Sequence, residues 1–251
     1  MEIVKLIKKN KNVYQVKFSD NTSLNFYDDT IINYNLLVNK EISDLQIKEI
    51  INYNNKIDAY YKALSYINVK LRTKNEIRKK LKDYDKNIID EVIEKLESQK
   101  YLDDELYIKS YINDQINLTL NGPKKILFEL EKLGFKDIYK YMYMFDDVNW
   151  QEKIEKIISK KVKSNHNLSV IMLKNKIKND LINLGYSKDL FQDVVENYVL
   201  LDNEEIINKE INKFKKKYKN KYSEEDINYK LKYYLNQKGF NTEMINDLLN
   251  K

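Results

Sequence analysis

Gly122-Pro123-Lys124-Lys125-Ile126-Leu127-Phe128-Glu129-Leu130-Glu131-Lys132-Leu133-Gly134-Phe135 spells out both ends of a helix. Pro123 is the only proline of the chain, and a first helical residue has no use for the N–H it lacks. Gly134 stands four residues after Leu130, where a stopping helix needs a left-handed residue so that its last carbonyls can be capped. The same step recurs from Leu81 to Asp85, from Leu181 to Gly185 and from Leu235 to Gly239. The four leucines are 49, 51 and 54 residues apart, and three of the four glycines share one site. Asp85 takes that place in the first unit; aspartate tolerates the left-handed region less well than glycine and better than most.

After each stop a second helix is expected, with apolar pairs recurring every four residues as one broad face. The pairs are Ile88, Ile89, Val92, Ile93 and Leu96, then Leu190, Phe191, Val194, Val195 and Tyr198, then Met244, Ile245, Leu248 and Leu249. The second unit is looser, with Ile138, Tyr141, Met142 and Phe145. Acidic clusters then open the next helix, where carboxylates cap free N–H groups and favour the dipole. They are Asp103-Asp104-Glu105, Asp146-Asp147 and Asp202-Asn203-Glu204-Glu205. Thr73-Lys74-Asn75-Glu76 reads as a capping box, and Ser223-Glu224-Glu225-Asp226 takes a similar place. Self-similarity at about fifty residues marks a repeat architecture in which each unit buries its face on a neighbour.

The N-terminal residues have a different period. Tyr14, Val16 and Phe18 alternate with polar residues, as do Leu24 and Phe26, around the turn Ser19-Asp20-Asn21-Thr22-Ser23. This predicts a hairpin with Asn21 in the left-handed region, a third strand within Glu2 to Lys9, and packing on the helix that Ser43-Asp44 opens. Leu45, Ile47, Ile50 and Ile51 are that helix's expected buried face. The fold class is mainly α, an elongated tandem array of three-helix repeats with a small N-terminal β-hairpin region. The expected organisation is a β region over 1–42, a linking helix over 43–58, and repeats over 59–102, 103–145, 146–201 and 202–251.

Composition excludes much chemistry. There is no cysteine, so zinc ribbons, iron–sulfur clusters, disulfides and thiol nucleophiles are absent. Four scattered glycines form no Rossmann or phosphate-loop fingerprint. No apolar run is long enough to span a membrane and no secretory leader opens the chain, which predicts a cytoplasmic protein. The chain is crowded with Lys, Asn, Ile and Tyr, and Ala59 and Ala63 are its only alanines, a pattern of A·T-rich coding that dilutes the meaning of single lysines. The lone histidine, His166, lies in a polar stretch and reads as a solvated loop residue, and Trp150 reads as packing. The acidic pairs read as caps rather than metal or acid–base sites. No enzyme activity and no cofactor are expected.

Two basic groups stand above the background of a +6 net charge. Ile211 to Tyr222 contains Lys213, Lys215, Lys216, Lys217, Lys219 and Lys221 and no acid, with Phe214, Tyr218 and Tyr222 as a stripe at every fourth residue. It reads equally as a solvated face whose aromatics pack and as a phosphate-binding surface. Arg72, Lys74, Arg78, Lys79, Lys80 and Lys82 form the smaller group, which holds both arginines of the chain, and arginine is the better phosphate fork. Tyr60-Tyr61 and Tyr233-Tyr234 each allow one ring on the core and one in water.

These residues carry a resemblance. Ala63-Leu64-Ser65-Tyr66-Ile67, then Arg72-Thr73 with Glu76-Ile77 and Leu81, resembles the opening pattern of the RecX family of recombination regulators. Tyr101-Leu102-Asp103-Asp104 resembles its Tyr-Leu-Asp-Asp signature. Gly122-Pro123, Ile126, Glu129-Leu130 and Gly134-Phe135 resemble the following helix and its stop, and Lys238-Gly239-Phe240 the ending of longer members. The hairpin resembles the extension those members carry. Thr73 for the usual Ser, Ile108 for a frequent Ala, and Asp85 are departures, and the segment from Ser164 to Leu200 matches least. The resemblance implies a monomeric regulator that binds the RecA nucleoprotein filament and its single- or double-stranded DNA without sequence preference. It further implies restraint of RecA strand exchange, ATPase and coprotease activity. The competing expectation is a stand-alone helix-turn-helix DNA-binding module; the chain shows no compact Arg/Asn/Gln face for reading bases.

Overall fold

The computed structural model describes residues 1–198, 200, 203–219 and 221–249. It divides into two compact units, Met1–Lys109 and Ser110–Lys251.

In the first unit β1 (Ile3–Lys8), β2 (Val13–Phe18) and β3 (Ser23–Tyr27) form an antiparallel sheet in chain order. Asn21 turns the hairpin at φ 67°, as its position predicts. Ile3, Val16, Phe18 and Phe26 bury one face of the sheet against Leu36, Ile42, Ile47 and Ile50. α1 (Asp28–Asn33) follows the sheet. α2 (Asp44–Ile67) opens on a capping box between Ser43 and Gln46. It runs without a break from the linking segment into the first three-helix repeat. Leu45 and Ile51 are corrections: both are exposed, Leu45 because it falls on the far side of α2 from Ile47 and Ile50. Asp58, midway along α2, accepts hydrogen bonds from the Tyr27 hydroxyl (2.7 Å) and from the Tyr84 hydroxyl. Burial and this carboxylate push the Tyr27 phenol up to about 12. One carboxylate thus ties the sheet, α2 and the turn after α3 (Lys74–Lys80) together. Tyr60 and Tyr61 are both half-buried: Tyr60 donates to Gln99 and Tyr61 to Asp29, so each faces a different neighbour.

α3 is capped by Thr73, whose box with Glu76 is complete. Asp85 departs from expectation. It is extended (φ −60°, ψ 142°) and starts α4 (Lys86–Ser98) rather than ending α3. The reason is a tight turn in which Tyr84 N–H bonds Leu81 carbonyl while its hydroxyl is held by Asp58. α4 buries Ile88, Val92, Ile93 and Leu96 on Ala59, Ala63, Ile77 and Leu81.

α5 (Asp104–Leu118) leads into the second unit. There α6 (Pro123–Lys132) begins with Pro123 as predicted and is followed by a 3-10 helix, Ile138–Phe145. The expected second α-helix of this repeat is therefore replaced. Ile138, Tyr141 and Phe145 are buried, while Met142 is exposed, in keeping with the three-residue period of a 3-10 turn. α7 (Trp150–Lys163), α8 (Val170–Asn183) and α9 (Lys188–Asn197) form the next repeat, and α10 (Glu204–Tyr218), α11 (Glu224–Gln237) and α12 (Thr242–Leu249) the last. α7 is capped by Asn149, whose side chain accepts from Glu152 N–H (3.1 Å), not by Asp146-Asp147. Asn203 caps α10; Asp202 lies outside the described residues. Trp150 packs edge-on to Tyr186 and donates to Phe145 carbonyl (3.1 Å). His166 is an exposed loop residue.

Within this unit two of the helix-stop glycines, Gly185 and Gly239, lie at joints between repeats. Gly185 has φ +85°, and a Cβ there would lie 2.3 Å from Lys125 N. Gly122 N–H donates to Leu184 carbonyl (2.7 Å) and Lys124 N–H to Gly185 carbonyl (3.1 Å). One repeat later the buried Ser169, which caps α8, donates to Lys238 carbonyl (2.5 Å), beside Gly239. In both joints the residue before a stop glycine offers its carbonyl to the N-cap of another repeat's second helix.

Candidate nucleic-acid interface

The smaller basic group is built around α3. The Arg72 guanidinium carbon lies 3.6 Å from the centre of the Tyr66 ring, and Arg72 also pairs with Glu76 (3.1 Å). Its side chain is only 11% exposed. Burial raises the Glu76 carboxyl, but the Thr73 N–H and the Arg72 charge outweigh it and hold the group below its ordinary value. Lys74 bridges Glu97 (2.6 Å) and Asp104 (3.1 Å), and chiefly the Glu97 hydrogen bond raises its pKa. Arg78 lies 3.6 Å from Asp90. Lys79, Lys80 and Lys82 are exposed with no acid partner among the described residues; Lys80 leans over Tyr66 (5.3 Å). Asp103 caps α5 through Leu106 N–H (3.0 Å), so both members of the Asp103-Asp104 pair have structural duties. Among the described residues no group of three His, Asp or Glu could hold a metal ion.

The larger group lies on α10 and the turn after it. The aromatic stripe packs ring on ring: Phe214 meets Tyr234 (4.9 Å) and Tyr218 (4.6 Å), and Tyr218 meets the exposed Tyr222 (5.9 Å). The helix ends at Tyr218, so Tyr222 continues the stripe from the turn. Lys213, Lys215, Lys216, Lys217, Lys219 and Lys221 are all exposed, and none pairs with a carboxylate among the described residues. Glu210, on the same helix, is 9% exposed and already taken by Lys238 (2.6 Å) and the Tyr234 hydroxyl (2.7 Å). Burial raises Glu210, and those two partners more than offset it. Residues 211–239 hold nine lysines and three acids, a net +6 equal to that of the whole chain. The charge of the remaining residues therefore cancels.

Sequence reasoning missed Lys153, whose ammonium reaches the carbonyls of Ile116 and Thr119 at the end of α5. Burial lowers its pKa, and its place completes the C-terminal cap. Only the fold brings the two segments together. Tyr233 is exposed and Tyr234 half-buried, as their alternation predicts. No helix among the described residues is long and apolar enough to cross a membrane.

Comparison with known proteins agrees with this architecture. Residues 59–96 match the RecX first three-helix domain. The regulatory protein RecX of Streptococcus pneumoniae serotype 19F (strain G54) is 30% identical over 249 residues, covering 96% of this chain and 95% of that protein. The regulatory protein RecX of Lactococcus lactis subsp. cremoris (strain SK11) is 28% identical over 97% of this chain and 95% of its own. A crystal structure of regulatory protein RecX superposes with a TM-score of 0.66 at 24% identity, over 78% of this chain and 99% of that one. A crystal structure of RecX from Lactobacillus salivarius gives 0.52 at 28% identity, over 57% of this chain and 96% of that one. With its three-helix repeats, its N-terminal sheet and a relative of this similarity along nearly its whole length, the chain belongs to the RecX family of regulatory proteins.

Proposed function

We propose that this protein regulates RecA by binding the RecA nucleoprotein filament and its DNA, restraining strand exchange, ATP hydrolysis and coprotease activity. The observation that carries the reading is the row of exposed lysines from Lys213 to Lys221, none of which forms a salt bridge with a carboxylate among the described residues. Such a row suits a phosphate backbone, because each phosphate it neutralises releases counterions. Lys79, Lys80 and Lys82 offer a second, smaller contact, with Arg72, Lys74 and Arg78 setting its base. The protein acts as a cytoplasmic monomer, without cofactor or catalysis of its own.

The test is RecA-catalysed ATP hydrolysis on single-stranded DNA. Adding the folded protein in amounts below or comparable to RecA is expected to lower the rate. Unchanged hydrolysis sinks the proposal. Tight, sequence-selective binding to duplex DNA without RecA would instead favour a helix-turn-helix module.

A further inference from the structure

α11 carries two tyrosines that the fold does not use. Tyr229 is 80% exposed and Tyr233 63%. Among the described residues neither hydroxyl has a hydrogen-bond partner and neither ring meets another. Their neighbour Tyr234 is the contrast, packed on Phe214 and bonded to Glu210. At about 100° per residue, Tyr229 and Tyr233 point away from Ile227, Leu231 and Leu235, the residues α11 buries. Being four apart, they stand side by side with about 5–6 Å between their Cβ atoms.

The surroundings are cationic. Lys230 and Lys232 alternate with the two rings, are exposed, and pair with no acid among the described residues. Lys230 also lies 4.7 Å from the centre of the Tyr222 ring, which joins this face to the end of the α10 row. The three acids of the stretch all lie where α11 begins, and Asp226 is held there by Ser223 (2.7 Å). An exposed aromatic pair inside a lysine field offers ring faces and positive charge together. The partner that suits both features has flat apolar faces and a negative backbone.

We propose that Tyr229 and Tyr233 form a base-stacking platform for single-stranded DNA, with Lys230, Lys232 and the α10 lysines on its phosphates. The inference rests on the reading that this face meets DNA and adds the form of DNA that it takes. Aromatic stacking needs bases whose faces are free, as they are not inside a duplex stack. It fits an opened strand with one base on each ring. Such stacking tolerates any sequence, since every base has a π-face.

The experiment is a fluorescence-anisotropy titration of the full chain against a labelled oligothymidylate and against a duplex of the same length, at several salt concentrations. Tyr229→Ala with Tyr233→Ala is expected to weaken oligothymidylate binding at least about tenfold, leaving the salt slope and duplex binding unchanged. Tyr229→Phe with Tyr233→Phe keeps the rings and is expected to bind as the parent does. Alanine suits exposed helix positions, and circular dichroism checks that the helices remain. Unweakened oligothymidylate binding by the alanine pair overturns the platform. So does an equal loss on duplex, or no binding by the parent protein. If the alanine pair binds normally while Lys215→Glu, Lys216→Glu and Lys217→Glu together lose binding, the platform fails and the phosphate reading stands. The RecA hydrolysis assay judges the regulatory reading separately.

Discussion

Around α3, Arg72 stacks on Tyr66 and pairs with Glu76, Lys74 bridges Glu97 and Asp104, and Arg78 leans on Asp90. Along α10 and the turn after it, six lysines meet no carboxylate among the described residues. As strings of letters the two groups are near equals, and the α3 group holds the arginines. The structure separates them by the supply of acids. α4 and the start of α5 offer carboxylates to α3, whereas Glu210 of α10 is spent inside its own repeat on Lys238 and Tyr234. Basic residues are free to meet a partner only where the fold leaves them unpaired.

The sharpest way to break this comparison is to reverse charge on α10. Lys215→Glu, Lys216→Glu and Lys217→Glu together are expected to lower the slope of log affinity against log salt for single-stranded DNA by about 2. At roughly 0.1 M salt that is on the order of a hundredfold in affinity. An unchanged slope would make this face merely solvated. Next comes Arg72→Ala, which is expected to cost stability rather than binding, about 2 kcal/mol for a stacked and largely desolvated guanidinium. Faster hydrogen exchange at the amides of α3 checks it; an undisturbed α3 with weakened DNA binding would move Arg72 into the interface. The smallest effect is in acid. Glu76 is held below its ordinary value of 4.5, so its contribution is present above that value and is lost as pH falls through the lowered one. Urea unfolding of the first unit at about pH 6 and about pH 4 should show a larger loss for the parent than for Glu76→Gln.

Much of this was legible in the sequence, and the limits have physical causes. The period-two strands, the Thr73 and Ser223 caps and the three left-handed glycines are local signals, and each was found where it was read. Asp85 was misread because the turn before it is set by Tyr84 reaching Asp58, 26 residues away. The Ser169 joint spans 69 residues and leaves no mark on either segment alone. At the candidate site, the absence of acid from 211–222 did announce free lysines. Arg72 offered a signal too: Glu76 stands one helical turn ahead of it, the spacing of an intrahelical ion pair. Tyr229 and Tyr233 could not be told from core tyrosines until the direction of α11 was known.

The facing glycines of one joint bear on how this chain can vary. Mutational pressure toward A·T-rich codons erodes glycine, whose codons begin with two guanines, wherever another residue will serve. Gly122 and Gly185 meet main chain to main chain, with no room for a methyl group on either side. Drift can therefore rewrite the faces of α6 and α8 while this pair stays fixed, and no single change at one member can be rescued at the other.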